Sequence, residues 1–311
     1  MSSKSTIWYF IVNPAGGNWA VKKQWTTISA MLQAAAIEFE TVFTAYAGHA
    51  TQLAKTAVEN GFRHIAAVGG DGTANEVANG ILQQETAASS EIIFALLPVG
   101  TGNDWARNWN ISPALDDWIS ILRAGKTTFQ DAGRVQYSAK GQAAVRYFIN
   151  VAGLSYDAFV VRYAEDKKHL MGNRFFYLWM ILKCLFKFKL PKGRLVFDGK
   201  EVRDFFYTIN VGICRYSGGG MQIVPQAVPD DGLFALTYAL KVSKPGVILN
   251  TWRFYNGSIG AHPKIFTLQS ERVEVAPEPG EVILLEVDGE FLGEAPAAFF
   301  ILKKALKILI P

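Results

Sequence analysis

Cysteine and histidine are scarce in this chain, and their scarcity excludes several kinds of site. The 311 residues include 2 cysteines and 4 histidines. Cys184 and Cys214 do not have the spacing of metal ligands, and the histidines form no cluster along the sequence. A cysteine–histidine metal site is therefore excluded. We expect both cysteines to be reduced residues of the core or of an interface.

The chain also lacks an apolar run long enough to cross a membrane. Its most apolar stretch, residues 175–190, is interrupted by Lys183, Lys187 and Lys189, whereas a spanning helix needs about 20 apolar residues. Read as a helix, this stretch places lysines and aromatic residues on different sides. That pattern is typical of a helix at a membrane interface, and also of a core helix whose lysines reach outward to solvent.

The N-terminus lacks the layout of a signal peptide, because Asn13 and Pro14 end a very short apolar run. A cytoplasmic protein is therefore expected. Charge is modest, with 31 basic and 27 acidic residues, a net charge of +4 and 50% hydrophobic residues. This composition excludes a disordered chain. The small basic excess suits an anionic membrane surface or an anionic substrate, although many cytosolic enzymes share it.

The most informative feature that is present is a glycine-rich turn between a strand and a helix. The apolar run that ends at Val68 leads into residues 69–73, GGDGT, and a helical pattern follows at once. A helix N-terminus offers backbone N–H groups and a positive dipole end, and glycine lets the backbone approach a phosphate closely. Asp71 would repel a phosphate unless a divalent metal ion lies between them. These residues therefore indicate a site for nucleotide phosphate and Mg²⁺.

Two more strands end in loops of the same type. Residues 13–20 read NPAGGNWA, and residues 98–108 read PVGTGNDWARN. Open α/β sheets bind ligands at the edge where the carboxyl ends of parallel strands meet. None of the loops is a Walker A loop or a G-x-G-x-x-G fingerprint, and a purely structural tight turn is the alternative for any one of them. Three such loops together favour ligand binding.

The pattern of apolar residues divides the chain near residue 130. Before this boundary strands and helices alternate, which predicts an open, mostly parallel sheet with helices on both faces. The predicted strands are Ile7–Val12, Phe39–Phe43, Ile65–Val68 and Ile92–Leu97, and the predicted helices are Ala20–Ala36, His49–Asn60, Thr73–Gln84 and Leu115–Arg123.

After residue 131, short β-like runs dominate and predict an antiparallel β-sandwich or barrel, with the helix of residues 175–190 inserted. We adopt the sandwich, with residues 131–302 as the second domain. The predicted strands are Arg146–Val151, Gly193–Phe197, Phe205–Val211, Leu233–Leu240, Lys264–Leu268, Glu271–Ala276, Val282–Val287 and Ala298–Leu302.

The three loops, in this order, resemble the catalytic domain of diacylglycerol kinases, in the soluble bacterial lipid kinase branch that is similar to sphingosine and ceramide kinases. The resemblance continues with DAGRV at 131–135, NVAGLSYDA at 150–158, PQAVPDDGLFAL at 225–236 and VDGE at 287–290. It covers nearly the whole chain. GGDGT by itself is shared with NAD kinases, so the ordered set of motifs carries the resemblance. In the family the C-terminal end, here residues 303–311, returns to the first domain.

The resemblance implies that ATP binds along the strand-end loops. The implied contact residues are Asn13, Pro14, Ala15, Gly16, Gly17, Thr44, Gly69, Gly70, Asp71, Gly72, Thr73, Ala74, Asn75 and Thr101. The family often has serine where this chain has Gly16, so one hydroxyl contact is missing there. An isolated threonine before a helix, such as Thr44, is also typical of a solvated cap.

The resemblance further implies an acidic cluster of Asp71, Asp104 and Asp131 that organises Mg²⁺ and water. A helix N-cap is the alternative for Asp104, and a turn residue is the alternative for Asp131. In related kinases a separate loop holds a structural Mg²⁺. The match gives the Asp231 carboxylate and the carbonyls of Val228 and Leu233 as its ligands, and a D-G turn without an ion is the alternative.

The VDGE segment carries the candidate for proton transfer. Asp288 and Glu290 are expected on one face of an extended segment, where a carboxylate can accept the proton of a substrate hydroxyl. The resemblance makes Glu290 the general base and Asp288 its supporting partner, with Asp71 as the third catalytic residue. The alternative is an exposed turn with two solvated acids.

These observations predict an ATP- and Mg²⁺-dependent lipid kinase that phosphorylates a hydroxyl of a diacylglycerol-like lipid. We expect peripheral contact with the inner face of a membrane and no nucleic-acid partner. The alternatives are a kinase of a sphingoid base, a polyprenol or another lipid, an NAD kinase, and a non-catalytic lipid-binding module. An NAD kinase is disfavoured because no GSTAY-like loop is found, and intact Asp71, Asp288 and Glu290 argue against loss of catalysis. The oligomeric state is left open, with a homodimer as one option.

Overall fold

A computed structural model describes residues 4–100, 102–139, 141–164 and 174–311 of the chain. They form two compact units. The first comprises Met1–Ala132 together with Lys303–Pro311, and the second comprises Gly133–Leu302. Two long strands, β5 (Thr127–Ala139) and β16 (Glu290–Leu309), have residues in both units.

The first unit alternates strands and helices around a parallel sheet. Its other elements are β1 (Trp8–Val12), α1 (Gly16–Ala34), β2 (Phe39–Phe43), α2 (His49–Glu59), β3 (His64–Gly69), α3 (Asp71–Gln83), β4 (Ile93–Pro98), α4 (Asp104–Asn108) and α5 (Leu115–Ala124). The strands pair in parallel in the order β4-β3-β1-β2, and Lys307 and Ile308 of β16 extend the sheet beside β4. Successive side chains of β3 and β4 are buried, as expected for parallel strands covered on both faces.

The second unit is dominated by antiparallel strands. Its elements are β6 (Gln142–Phe148), β7 (Val151–Ser155), α6 (Tyr156–Ala164), α7 (Arg174–Lys187), β8 (Lys192–Phe197), β9 (Lys200–Gly212), β10 (Tyr216–Ser217), β11 (Met221–Gln222), β12 (Phe234–Leu240), α8 (Lys244–Asn250), α9 (Trp252–Asn256), β13 (Ile265–Ser270), β14 (Arg272–Pro277) and β15 (Leu284–Val287). Strands β9, β7, β15, β16, β14 and β8 pair in succession, and β8 returns to β9. The pairings therefore close a ring of strands. This is a barrel-like arrangement, which the sequence analysis left open as the alternative to the sandwich.

The structure corrects several element boundaries. The predicted strand Arg146–Val151 is the junction of two strands, β6 and β7. The predicted strand Ala298–Leu302 is a fragment of the 20-residue strand β16. Strand β5 and helices α6, α8 and α9 were not predicted, because their apolar residues follow no clear period.

The candidate helix at residues 175–190 corresponds to α7. Met180, Cys184, Leu185 and Phe188 are buried in a cluster with α6 residues, whereas Phe186 is 64% exposed. This part of α7 therefore packs into the core, as one of the two interpretations predicted. Cys184 and Cys214 are both buried thiols, as expected of core residues. Among the described residues, no helix has the length and apolarity needed to cross a bilayer.

Candidate active site

Four strands of the first unit end side by side. Three of them lead into the glycine-rich loops, and the fourth, β2, leads to Thr44. In the sheet register Val12 lies beside Val68 and Phe43, and Gly69 lies beside Pro98. The backbone N–H of Asn13 donates to the Val68 carbonyl at 3.0 Å. The loops therefore open at the same carboxyl edge of the sheet, where parallel sheets bind ligands.

The first loop is tied directly to the GGDGT turn. The Asn13 side chain donates from Nδ2 to Thr73 Oγ1 at 3.0 Å, and its Oδ1 accepts the N–H of Ala15 at 3.1 Å. A side chain at Gly16 would lack room, because a Cβ there would lie 2.9 Å from Val21 Cγ2 and 3.3 Å from Gly69 Cα. The glycine that replaces the expected serine is therefore required by close packing against β3.

The start of α1 bends, since Gly17, Asn18 and Trp19 have φ of 60°, 57° and 69°. The regular helix begins only after them, near the predicted start at Ala20. A surface pocket of about 370 Å³ lies beside this bend. It is lined by Pro14, Trp19, Lys22, Trp25, Thr26 and Phe43. The sequence analysis did not identify this aromatic pocket.

The second and third loops touch backbone to backbone. A Cβ on Gly100 would lie 3.1 Å from Gly70 Cα and 2.8 Å from Asn103 Oδ1. Asn103 has φ of 51° and donates from Nδ2 to the Gly100 carbonyl at 3.0 Å. Its Oδ1 is buried and accepts no hydrogen bond from any described residue. An oxygen lone pair is therefore available beside Gly70 and Gly100, at a residue that the sequence analysis did not single out within GTGND.

Asp71 has a protein partner that the sequence did not reveal. Its carboxylate accepts the backbone N–H groups of Asp104 at 3.1 Å and Trp105 at 3.0 Å, which are the first residues of α4. Burial raises the pKa of the Asp71 carboxyl, against the lowering effect of these N–H donors. Asp71 therefore caps the start of α4, and its role beside a metal ion stays a prediction.

Asp104 and Asp131 are both buried. Asp104 lies 3.7 Å from Arg107, and Asp131 accepts the backbone N–H of Lys304 at 2.6 Å within the first unit. A Cβ at Gly102 would lie 3.0 Å from Asp71 Oδ2 and 3.8 Å from Asp104 Oδ2, so these two carboxylates flank one glycine. Within the described ranges, no three His, Cys, Asp or Glu side chains are grouped to hold a metal ion. The predicted three-carboxylate cluster is therefore not assembled.

The remaining predicted nucleotide contacts divide by exposure. Pro14, Ala15, Gly17, Thr44, Gly70 and Gly72 keep exposed surface at the loops. Thr73, Ala74 and Asn75 are 5%, 0% and 0% exposed, and their contacts with a nucleotide stay a prediction. Thr101 lies outside the described residues.

The VDGE segment is a turn rather than an extended segment. Asp288 and Gly289 have φ of 48° and 81°, and they join β15 to β16 so that Val287 pairs with Glu290. The Asp288 carboxylate accepts three backbone N–H groups, from Ile149 at 3.0 Å, Asn150 at 3.1 Å and Val151 at 2.9 Å. Asp288 therefore fixes the start of β7.

Glu290 points elsewhere. Its Oε2 forms an ion pair with Arg146 Nη2 at 2.7 Å, and its side chain is 34% exposed. The expectation that Asp288 and Glu290 share one face is therefore wrong, because the positive-φ turn turns the two carboxylates to different partners. The alternative of two solvated acids is also wrong.

A buried acidic pair lies beside this turn and was missed by the sequence analysis. Glu286 Oε2 accepts the N–H of Gly289 at 2.8 Å, and Asp157 accepts the Thr208 hydroxyl at 2.6 Å. Burial raises the pKa of Glu286 well above its ordinary value, and the charges of Asp157 and Asp288 raise it further. Burial also raises the pKa of Asp157. Asp157 lies in the NVAGLSYDA motif, but its partners are distant in sequence.

The loop proposed to hold a structural ion is closed by its own hydrogen bonds. Asp231 Oδ1 accepts the N–H of Leu233 at 2.9 Å, and Oδ2 accepts from Gln269 Nε2 at 2.6 Å. Gly232 has φ of 76°, as the D-G turn predicts. The shape of this loop is therefore accounted for by protein contacts, and an ion at Asp231, Val228 and Leu233 stays a prediction.

Glycine-rich loops at the edge of a parallel sheet suit the binding of phosphate, and the comparisons with known proteins identify the class as a kinase. Residues 7–135 match the model of the diacylglycerol kinase catalytic domain, and residues 150–310 match that of the YegS C-terminal NAD kinase beta sandwich-like domain. The chain belongs to the diacylglycerol kinase catalytic-domain family and is a lipid kinase of its bacterial branch.

Curated relatives cover nearly all of the chain. It is 30% identical to the diacylglycerol kinase of Bacillus subtilis, over 97% of this chain and 95% of that protein. It is 26% identical to that of Staphylococcus carnosus, over 97% and 94%.

Solved structures show the same fold. A diacylglycerol kinase from Bacillus anthracis superimposes with a TM-score of 0.72 at 19% identity, covering 100% of this chain and 98% of that one. Yeast NADH kinase in complex with NADH has a TM-score of 0.53 at 10% identity, covering 100% and 87%. These two likenesses concern the fold alone.

Proposed function

We propose that this protein transfers the γ-phosphate of ATP, with Mg²⁺, to a hydroxyl of a diacylglycerol-like lipid at the cytoplasmic face of a membrane. The observation that carries the proposal is the junction of Asn13, Thr73, Gly70, Gly100 and Asn103. At this junction three strand-end loops meet at one sheet edge. The names of the curated relatives favour diacylglycerol as the acceptor.

ATP is proposed to lie along these loops. The backbone of residues 13–17 and 69–73 would contact its phosphates, and the pocket beside Trp19 and Trp25 offers aromatic surface for its base. Lys22 Nζ lies 5.7 Å from the Trp19 ring, so a cation is present near that surface. Thr44 and Thr101 remain proposed contacts.

The buried oxygens near Gly70 suit Mg²⁺, which prefers oxygen ligands and keeps several waters. Asp71, Asp104 and Asn103 Oδ1 would hold the ion together with phosphate oxygens. Asp131 is proposed as a supporting residue, because it accepts the Lys304 N–H. When bound, the ion would neutralise charge that develops on the phosphoryl oxygens.

Glu290 is proposed as the general base. The lipid hydroxyl oxygen forms a bond to the γ-phosphorus, the bond from phosphorus to the ADP oxygen breaks, and the hydroxyl proton passes to the Glu290 carboxylate. Arg146 would orient this carboxylate through their ion pair. Asp288 is a positioning residue, since it holds the backbone of residues 149–151.

A cavity of the second unit lies beside Tyr207, Asn210 and Val247. Its volume is about 30 Å³, which is room for water but not for an acyl chain, so it is not proposed as the acyl-chain site.

Transfer from γ-labelled ATP tests the proposal. The purified protein should label diacylglycerol in mixed micelles, and labelling should require Mg²⁺. Asn103→Ala should lower the rate and raise the Mg²⁺ concentration needed for half-maximal activity, whereas Ser112→Ala, outside the three strand-end loops, should behave as wild type. If sphingosine, a polyprenol or NAD is labelled in preference to diacylglycerol, that compound is the acceptor instead. No labelling of any lipid would favour a non-catalytic lipid-binding module.

A further inference from the structure

Helices α8 and α9 carry apolar side chains on two faces. Only Thr251 separates them, and its φ of −56° and ψ of −34° are helical, so the two helices run on from one another. Val247, Asn250 and Phe254, at helical spacing, line the cavity against β9, β12 and β13. This face has a packing role within the second unit.

The opposite face is open to solvent. Ile248, Leu249, Trp252 and Tyr255 are 43%, 73%, 56% and 44% exposed. Their spacing of one, three and three residues places them on one stripe of the helical segment. Contiguous exposed apolar surface of this kind marks a binding surface for a protein or a membrane.

Phe186, at the end of α7, extends this stripe. Lys244 Nζ donates to the Phe186 carbonyl at 2.9 Å and lies 5.5 Å from the Phe186 ring, so the end of α7 adjoins the start of α8. We call Phe186, Ile248, Leu249, Trp252 and Tyr255 together the α8–α9 patch.

The segment that carries most of the patch has charged residues of one sign. Residues 241–270 contain Lys241, Lys244, Arg253 and Lys264 and no Asp or Glu. Lys264 Nζ donates to the Lys241 carbonyl at 2.9 Å, and the Arg253 guanidinium lies 5.0 Å from the Trp252 ring. The exposed Lys183 and Lys187 of α7 add to this positive field. An apolar stripe on a segment whose charged residues are all basic is complementary to an anionic surface with an apolar interior.

We propose that the α8–α9 patch inserts into the interface of an anionic bilayer and docks the protein on the membrane. Tryptophan and tyrosine suit the headgroup level, while Leu249 and Ile248 reach the acyl chains. The proposal rests on the proposed function in one respect, since the bilayer is where a diacylglycerol substrate is found. It gives α7 a smaller share than the sequence suggested, because Met180, Cys184 and Leu185 of α7 are buried in the core.

Vesicle sedimentation tests the docking surface without catalysis. The probe is a vesicle of phosphatidylcholine and phosphatidylglycerol, compared with phosphatidylcholine alone. Leu249→Gln with Trp252→Gln should weaken partitioning by about tenfold for each residue and on the order of a hundredfold together. The matched control is Phe205→Gln with Val282→Gln, two apolar residues that are 41% and 52% exposed outside the patch. It should bind as wild type.

Two outcomes would overturn the proposal in this assay. One is unchanged binding of the patch variant to the anionic vesicles. The other is a wild-type protein that ignores these vesicles but forms a dimer which the patch variant abolishes. The second result would show that a second copy of this chain covers the patch.

A second measurement does not depend on a polar substitution. Vesicles with brominated acyl chains should quench wild-type tryptophan emission, and Trp252→Phe should bind as well but lose part of that quenching. Equal quenching in both proteins would refute insertion at this site. Phosphorylation of monomeric dihexanoylglycerol separates the two proposals: the patch variant should retain it. If wild type cannot phosphorylate this lipid either, the proposed function fails while the vesicle result still stands.

Discussion

Asp288 and Glu290 lie two residues apart, yet their isosteric substitutions should have opposite effects. Asp288→Asn keeps the side-chain shape, and asparagine tolerates the φ of 48° at this position. Asn150 and Val151 donate to Oδ1 and Ile149 donates to Oδ2. In Asp288→Asn the amide oxygen can retain the bonds from Asn150 and Val151 as weaker, neutral hydrogen bonds. The amide NH₂ group would face the N–H of Ile149, so that bond is lost.

The expected cost follows from these bonds. A hydrogen bond to a charged group contributes about 1.5–3 kcal/mol, roughly twice a neutral one. Losing one and weakening two should therefore lower the free energy of unfolding of Asp288→Asn by about 3 kcal/mol. Glu290→Gln loses one partly exposed ion pair, which contributes about 0–1 kcal/mol. Its stability should be close to that of wild type.

In activity the two variants should differ in the opposite sense, with the larger loss in Glu290→Gln. Glu290→Gln cannot accept the hydroxyl proton, so lipid phosphorylation should fall by about 10²–10⁴-fold while ATP binding is retained. Urea unfolding, fluorescent ATP binding and lipid phosphorylation are measured on the same preparations. A stable, inactive Asp288→Asn beside an active Glu290→Gln would reverse the roles. If both variants have nearly wild-type activity, the VDGE segment has no catalytic role.

Three more predictions concern the carboxylates of Asp71, Glu286 and Asp231. Asp71→Asn should abolish phosphoryl transfer. It should also lower the free energy of unfolding by about 2 kcal/mol, because the cap on α4 is lost. An unchanged stability in urea would refute the cap. Because burial raises the folded-state pKa of Glu286, its stabilising contribution is present below the unfolded value of about 4.3 and is lost as pH rises toward the folded value. Glu286→Gln should therefore flatten the decline of the melting temperature from pH 5 to pH 8, whereas the exposed Glu281→Gln should not. A crystal soaked in Mn²⁺ should give an anomalous peak at Asp231, and Asp231→Ala should lower activity with little change in ATP affinity; a soak without that peak contradicts the ion.

The strand-end loops were predictable because the signal is local. A β-run that meets glycines and then a helical period places a loop at the edge of a parallel sheet, whatever lies elsewhere in the chain. The partners of the acids were not predictable in this way. The N–H groups that Asp71 caps lie 33 and 34 residues away, and Arg146 lies 144 residues before Glu290. Such contacts depend on tertiary packing.

Two of the errors had local signals. The Asp288-Gly289 dipeptide is a strong hairpin-turn signal, and it outweighed the alternation that would put Asp288 and Glu290 on one face. Ser243 followed by Lys244 and Pro245 is a helix start, and Ser243 Oγ does accept the Gly246 N–H at 3.2 Å. The α8–α9 segment was missed because its apolar residues occupy two faces, which hides the helical period.

The return of residues 303–311 to the first unit has a consequence for biosynthesis. Leu306, Ile308 and Leu309 are buried, and β16 supplies the sheet neighbour of β4 and the N–H bound by Asp131. The ribosome translates all of residues 133–302 before these nine residues emerge. Domains usually fold in the order of their synthesis. Here the first unit has an unpaired edge at β4 until residues 303–311 have been translated. The second unit can therefore complete its folding earlier than the first. A chain truncated after residue 302 should therefore hold a protease-resistant second unit and a first unit whose sheet lacks the neighbour of β4.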